Sequence, residues 1–364
     1  MKKIIALALC LCMALCAVAC QNTPAEAEYK LGMGIFVSMD ESATGNAQVD
    51  ATVATVVLDA DGKIVLCRID AAQNKMNVTD GAVDTAATFK TKMEKGDEYG
   101  MAAALGYGMD WNGDGKVLEW YDQAKAFENY VVGKTGAEVE AMTTKAAASE
   151  GAGAEYQIST DEALLSAGCT IQITDFISAV AKACKDEQGM TFTAAAGSFT
   201  LGVAAKTTAE ESTAATADAE GVVKMYTDFA ASVVSDGKIL ATLNDAIQPQ
   251  IKITAAGEIG EKTFKATKRE LKDEYGMAPA LGYGMDWNGD GKVLEWYLQS
   301  EAFSKYAVGK TGSDIAAMTT KAAASEGAGA GYQISADEAL LSAGCTIQIT
   351  SICAVVAQSV TNAR

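Results

Sequence analysis

Two patterns of apolar positions run along the chain, and each occurs twice. Residues 53–58 read Val-Ala-Thr-Val-Val-Leu and residues 63–69 read Lys-Ile-Val-Leu-Cys-Arg-Ile, with Asp-Ala-Asp-Gly between them. Enrichment in β-branched and apolar residues predicts two strands, and Gly62 supplies a position at ease with positive φ, so the segment reads as a hairpin. A second hairpin is predicted over 229–234 and 238–243, around Ser235, Asp236 and Gly237. Extended segments are expected at 29–38 and 199–204, and short strands at 75–78 and 250–254.

The other pattern has a helical period. Leu118, Trp120, Tyr121, Ala124, Phe127 and Val131 recur at three- and four-residue steps. That spacing lays one apolar face along a helix, which Gly133 ends. A second helix is predicted over 137–148, followed by a Gly/Ala-rich loop at 149–154. Ile171 and Ile173 alternate with polar neighbours and predict a last short strand. From there Phe176, Ile177, Val180, Ala181, Ala183 and Cys184 are helically spaced, with Thr174 or Asp175 as the cap. Residues 88–101 fit strand or helix equally.

These patterns repeat because the chain is duplicated. Residues 98–174 reappear 176 positions later as 274–350, with only 13 of 77 positions changed. Strands come first and helices afterwards in each copy, which predicts an α+β class built as two tandem repeats. The expected division is 29–190 and 198–364, with the joint near 185–197.

The N-terminus stands apart from both copies. Lys2 and Lys3 precede an apolar run over 4–15, and Ala17-Val-Ala-Cys20 closes it. This is the layout of a secretory signal, and the run is shorter than the roughly 20 apolar residues a spanning helix needs. The closing four residues resemble a bacterial lipobox, which implies lipid attachment at Cys20, membrane anchoring and an extracytoplasmic location. A plain secretory signal is the other option. Residues 21–28 are polar and read as a tether.

Composition then removes whole classes of chemistry. There are 29 basic against 47 acidic residues, a net charge of −18, so nucleic acid and anionic lipid are poor partners. Histidine is absent altogether. Ser-His-Asp and Cys-His catalysis and histidine-ligated metals are thereby excluded. Beyond Cys20, five cysteines remain: Cys67, Cys169, Cys184, Cys345 and Cys353. Only Cys169 and Cys345 are equivalent between copies, so no disulfide framework emerges, although a Cys169 to Cys184 bridge stays open.

Two stretches are candidates for chemistry. The first is Gly168-Cys169-Thr170, repeated as Gly344-Cys345-Thr346, with a helix-like run beyond it. Together with the Asp-Gly-Lys-Ile hairpins at 61–64 and 236–239, it resembles the FMN-binding domain family of exported electron-transfer proteins. The resemblance implies bound FMN, with Thr170 and Thr346 as phosphate-ester acceptors, a flavin transferase to load them and a redox partner. Cysteine replaces the family's usual alanine, and Ala167 separates Ser166 from the glycine. On the residues alone, the competing reading is that Thr170 is an ordinary strand position and Cys169 a small buried one.

The second stretch is Asp110-Trp-Asn-Gly-Asp-Gly-Lys116, repeated at 286–292. Asp110, Asn112 and Asp114, with Asp286, Asn288 and Asp290, match the opening half of an EF-hand loop and would offer oxygens to Ca²⁺. Tyr121 and Tyr297 occupy the position of the usual bidentate glutamate, with Glu119 and Glu295 two residues earlier. A bare turn leading into the helix is the competing reading. Trp120 and Trp296 fall at core spacing; Trp111 and Trp287 lie in the polar loops. The expected function is therefore a flavin-binding lipoprotein acting as an electron carrier. The alternative is a non-catalytic binding or structural lipoprotein of the same fold, stiffened by calcium.

Overall fold

The computed structural model describes residues 25–102, 118–147, 156–277, 294–323 and 332–364. Cys20, Trp111, Trp287 and the candidate calcium ligands Asp110, Asn112, Asp114, Asp286, Asn288 and Asp290 lie outside them.

The first copy contributes β1 (Glu26–Ser38), β2 (Asn46–Leu58) and β3 (Ile64–Asn77), then α1 (Lys92–Lys95), α2 (Trp120–Tyr130), α3 (Gly136–Glu140), β4 (Thr144–Ala146), β5 (Gln157–Ser159), α4 (Glu162–Ser166), α5 (Thr174–Cys184) and β6 (Met190–Ala195). The second contributes β7 (Thr200–Thr208), β8 (Gly221–Val223), β9 (Tyr226–Ser235), β10 (Lys238–Ile247), β11 (Gln250–Ile253) and β12 (Ile259–Thr263). It continues with α6 (Lys268–Leu271), α7 (Trp296–Ala307), α8 (Gly312–Ala316), β13 (Thr320–Ala322), β14 (Gln333–Ser335), α9 (Glu338–Ser342) and α10 (Thr350–Thr361). The class is α+β, with every strand pairing antiparallel. Helix starts at 92, 120, 136, 162 and 174 are matched by starts at 268, 296, 312, 338 and 350.

The main sheets run β3-β2-β1-β6 and β10-β9-β7. They face each other. Leu31, Ile35 and Val53 from one and Leu201, Phe229 and Leu243 from the other belong to a single apolar core. The opposite face of the first sheet packs on α2 and α5 through Val56, Ile69, Phe127 and Val180. That of the second packs on α7 and α10 through Ala230, Ile239, Phe303 and Val356. The result is four layers, helices outside and the two sheets within. Close approach of helix to sheet depends on glycine: a Cβ at Gly32 would lie 2.1 Å from the carbonyl oxygen of Ala183, and one at Gly202 1.9 Å from that of Ser359.

The halves are also tied by charge. Arg269 forks onto Asp186 at 3.1 and 3.3 Å and donates to the carbonyl of Gln188 at 2.7 Å, while Gln188 Nε2 returns a bond to the carbonyl of Arg269 at 2.8 Å. At the other end Arg364 meets the buried carboxylate of Glu128 at 3.1 and 3.2 Å, and Arg68 stands 3.6 Å from it. Burial pushes the Glu128 carboxyl up, and the two arginines oppose that shift.

Several local expectations change. The predicted strand 75–78 is the end of the long β3, because pairing with β2 continues to Asn77. The expected helix 137–148 stops after Glu140, and Thr144–Ala146 instead pairs with Gln157–Ser159. Ile171 and Ile173 form no strand; both are buried by loop packing, and Ile173, not Thr174 or Asp175, precedes the helix. The joint 185–197 contains β6, which pairs with β1, and the tether loses residues 26–28 to β1. Segment 88–101 resolves as a short helix whose Thr91 and Glu94 form a reciprocal cap.

Candidate functional site

The Gly-Cys-Thr stretch begins as the end of a helix. After Ser166 the chain turns left-handed at Gly168, φ +98, whose amide bonds to the carbonyl of Leu165 while that of Cys169 reaches Leu164. This is a Schellman stop, and it accounts for the glycine without a ligand. A side chain there would also collide with Leu118, since a Cβ would sit 2.6 Å from Cδ1.

Beyond the glycine the chain dives inward. Cys169 is fully buried, and burial pushes its thiol up to about 12. The nucleophilic thiolate is therefore scarce at neutral pH. Thr170 is 4% exposed and Thr346 5%. Gln123, on the buried face of α2, accepts the Thr170 amide at 2.9 Å and its hydroxyl at 3.1 Å on one oxygen. Its amide nitrogen donates to the carbonyl of Leu118 at 2.9 Å and lies 3.4 Å from the Met101 sulfur. The second copy repeats every contact: Gln299 holds Thr346 at 2.8 and 3.1 Å and the Leu294 carbonyl at 2.7 Å.

Glu119 completes the arrangement. Its two carboxylate oxygens accept the amides of Met101 and Ala102, each at 2.9 Å, and Glu295 accepts that of Met277 at 2.9 Å. The residues flanking 103–117 are thereby held side by side. Both Glu119 oxygens are committed to backbone amides, which argues against its service as a bidentate cation ligand. Trp120 packs edge-on to Phe176 at 5.7 Å, and the Lys92 ammonium lies 5.4 Å from the Trp120 ring and 5.0 Å from that of Tyr99. The second copy places Lys268 likewise over Tyr275 and Trp296.

The structure thus brings Gly168, Cys169 and Thr170, and likewise Gly344, Cys345 and Thr346, against the base of the segment that carries the other candidate motif. Both hydroxyls are buried in this arrangement, so esterifying Thr170 requires 168–173 to leave its packing and esterifying Thr346 requires the same of 344–349. The residue that sequence reasoning missed is Gln123. Its signal was a polar side chain inside an apolar helical stripe, present in both copies. The five cysteines beyond Cys20 are free thiols, Cys169 and Cys184 included. Among the described residues no helix is long and apolar enough to cross a membrane, and no three acidic or cysteine side chains gather as a metal would need.

Comparison with protein-family models, with curated proteins and with solved structures gave no match to this chain.

Proposed function

We propose that the chain is a non-catalytic binding or structural lipoprotein, displayed outside the cytoplasmic membrane on a lipid at Cys20, rather than a flavin carrier. The observation that carries this reading is the pairing of Thr170 with Gln123 and of Thr346 with Gln299. Both hydroxyls that a flavin would need serve as internal donors, and both adjacent cysteines are core residues. The absence of histidine removes imidazole chemistry, and the raised thiols leave little thiolate for nucleophilic work near neutral pH. The lipobox-like Ala17-Val-Ala-Cys20 supports the anchor.

Two measurements on the full chain test this. Expressed with a flavin transferase, the denatured, gel-separated protein is expected to show no flavin fluorescence; a fluorescent band that Thr170→Val with Thr346→Val removes would restore the electron carrier. The chain should partition into detergent, and Cys20→Ser should release it; unchanged partition would remove the anchor.

A further inference from the structure

The copies differ where they border each other. Of the 13 positions that distinguish 98–174 from 274–350, four lie on one stretch of helix: Ala124, Lys125, Glu128 and Asn129 become Ser300, Glu301, Ser304 and Lys305. All four second-copy residues line a cleft of about 450 Å³, closed on its other sides by Leu243 and Arg269 and by residues 187–191 of the first copy. The corresponding place in the first copy is filled. There Glu128 is clasped by Arg68 and Arg364, and the space left beside these arginines is about 220 Å³. Aligning Lys63-Ile64 with Lys238-Ile239 sets Leu243 where Arg68 stands. The second copy has therefore exchanged the Glu128–Arg68 pair for Ser304 and Leu243, with Ser300 in place of Ala124, and the exchange opens the cleft.

We infer that this cleft is a binding site for a neutral, polyhydroxylated ligand of disaccharide size. Its volume falls within the range of small-molecule sites, roughly 300–1,000 Å³. Its charges are already matched. Arg269 is paired with Asp186 at 3.1 Å, Lys305 with Glu301 at 2.6 Å and Lys272 with Glu187 at 3.1 Å. An ionic ligand seated on Arg269 would have to break its buried pair with Asp186, whereas a neutral one need not; the other two pairs are exposed and oppose it little. Ser300 donates to Asn244 at 3.0 Å and Ser304 accepts from the same side chain at 3.4 Å, so the Ser304 hydroxyl proton remains available to an acceptor on the ligand. Leu243 and Met190 add apolar wall. A hydroxyl edge beside an apolar patch suits a sugar, which presents hydroxyls at its rim and C–H groups on its faces.

This inference rests on the chain being a binding protein, and the two fail separately: covalent flavin would sink that parent reading whatever the sugar result. The test is calorimetric titration of the full chain with maltose, cellobiose and diacetylchitobiose, with glutamate and inorganic phosphate alongside. One disaccharide is expected to bind one-to-one with a dissociation constant of about 1 mM or tighter. Leu243→Arg with Ser304→Glu, which rebuilds the first copy's pair in the cleft, should abolish binding in a chain that still unfolds cooperatively. Should that variant not fold, Ser304→Ala decides, with an expected loss of about three- to tenfold. Three results overturn the site: no saturable sugar binding at about 10 mM, sugar binding that these variants leave intact, or binding of glutamate or phosphate in place of sugar.

Discussion

Gln123 gathers both protons of Thr170, the amide at 2.9 Å and the hydroxyl at 3.1 Å, on a single side-chain oxygen. Helix α2 is thereby fastened to the loop that follows Gly168. Because Gln123 is wholly buried, water cannot replace either bond once one partner is removed.

Gln123→Ala is therefore expected to cost about 1–3 kcal/mol, since it strands a buried N–H as well as the Leu118 carbonyl. Thr170→Val should cost less, because the amide bond survives and only the hydroxyl is lost. Urea unfolding of both variants, and of Gln299→Ala with Thr346→Val, checks the order. Equal costs would mean that the hydroxyl, not the amide, carries the contact.

The inter-repeat ion pair behaves differently. Asp186 and Arg269 are 9% and 8% exposed at their side chains, so removing either one leaves a charge buried without its partner. Asp186→Ala alone should destabilise by about 3–5 kcal/mol. Combining it with Arg269→Met, which installs the residue found at the first copy's equivalent Met93, should recover part of the loss. A double-mutant cycle in thermal unfolding measures that coupling.

Two buried carboxyls set a pH dependence. Burial pushes Asp70 up to about 7, against hydrogen bonds from Thr91, Met93 and Ala71, and pushes Asp245 up to about 6, with Arg269 opposing most. The ordinary value is 3.8. The folded chain therefore keeps protons that the unfolded chain has released, and the stability they confer is full below pH 3.8 and is lost as pH rises through about 6 and about 7. Each carboxyl contributes a slope of roughly 1.4 kcal/mol per pH unit within its window. Asp70→Asn should gain on the parent across that window and level off above it, as read by melting temperature against pH. A gap independent of pH would show that Asp70 titrates normally.

Gly32 gives a steric prediction. Alanine there would press its Cβ onto the Ala183 carbonyl, 2.1 Å away, so Gly32→Ala should cost about 3 kcal/mol, at the upper end for overpacking. The exposed turn at Gly62, where a Cβ meets nothing within 4 Å but φ is +74, should tolerate asparagine.

Much of this was legible in the sequence, and the misses have physical causes. The hairpins announced themselves through Asp-Gly at 61–62 and 236–237, and α2 through the stripe from Trp120 to Val131. Ile171 and Ile173 misled because alternation also arises where a loop tucks every second side chain into a core. Helix 137–148 was overextended because Met142 and Thr143 carry no strong stop, whereas pairing of Thr144 with Ser159 wins locally. The shared core was harder still. Val53, Ala54, Val56 and Val57 are all buried, and so is Thr55 between them, a near-continuous apolar run that signals a strand covered on both faces but not what covers it. The cleft could not be foreseen, because it depends on residues 187–191 of one copy lying against α7 of the other.

The closed state of the threonine loops has one direct test, native-state hydrogen exchange of the Thr170 and Thr346 amides in the full chain. If Gln123 and Gln299 hold them as described, both amides exchange only through global unfolding, with the same denaturant dependence as core amides such as Ile69. Exchange through a local opening, faster and insensitive to denaturant, would show that 168–173 or 344–349 releases its threonine, and the reading of these hydroxyls as internal partners would fall.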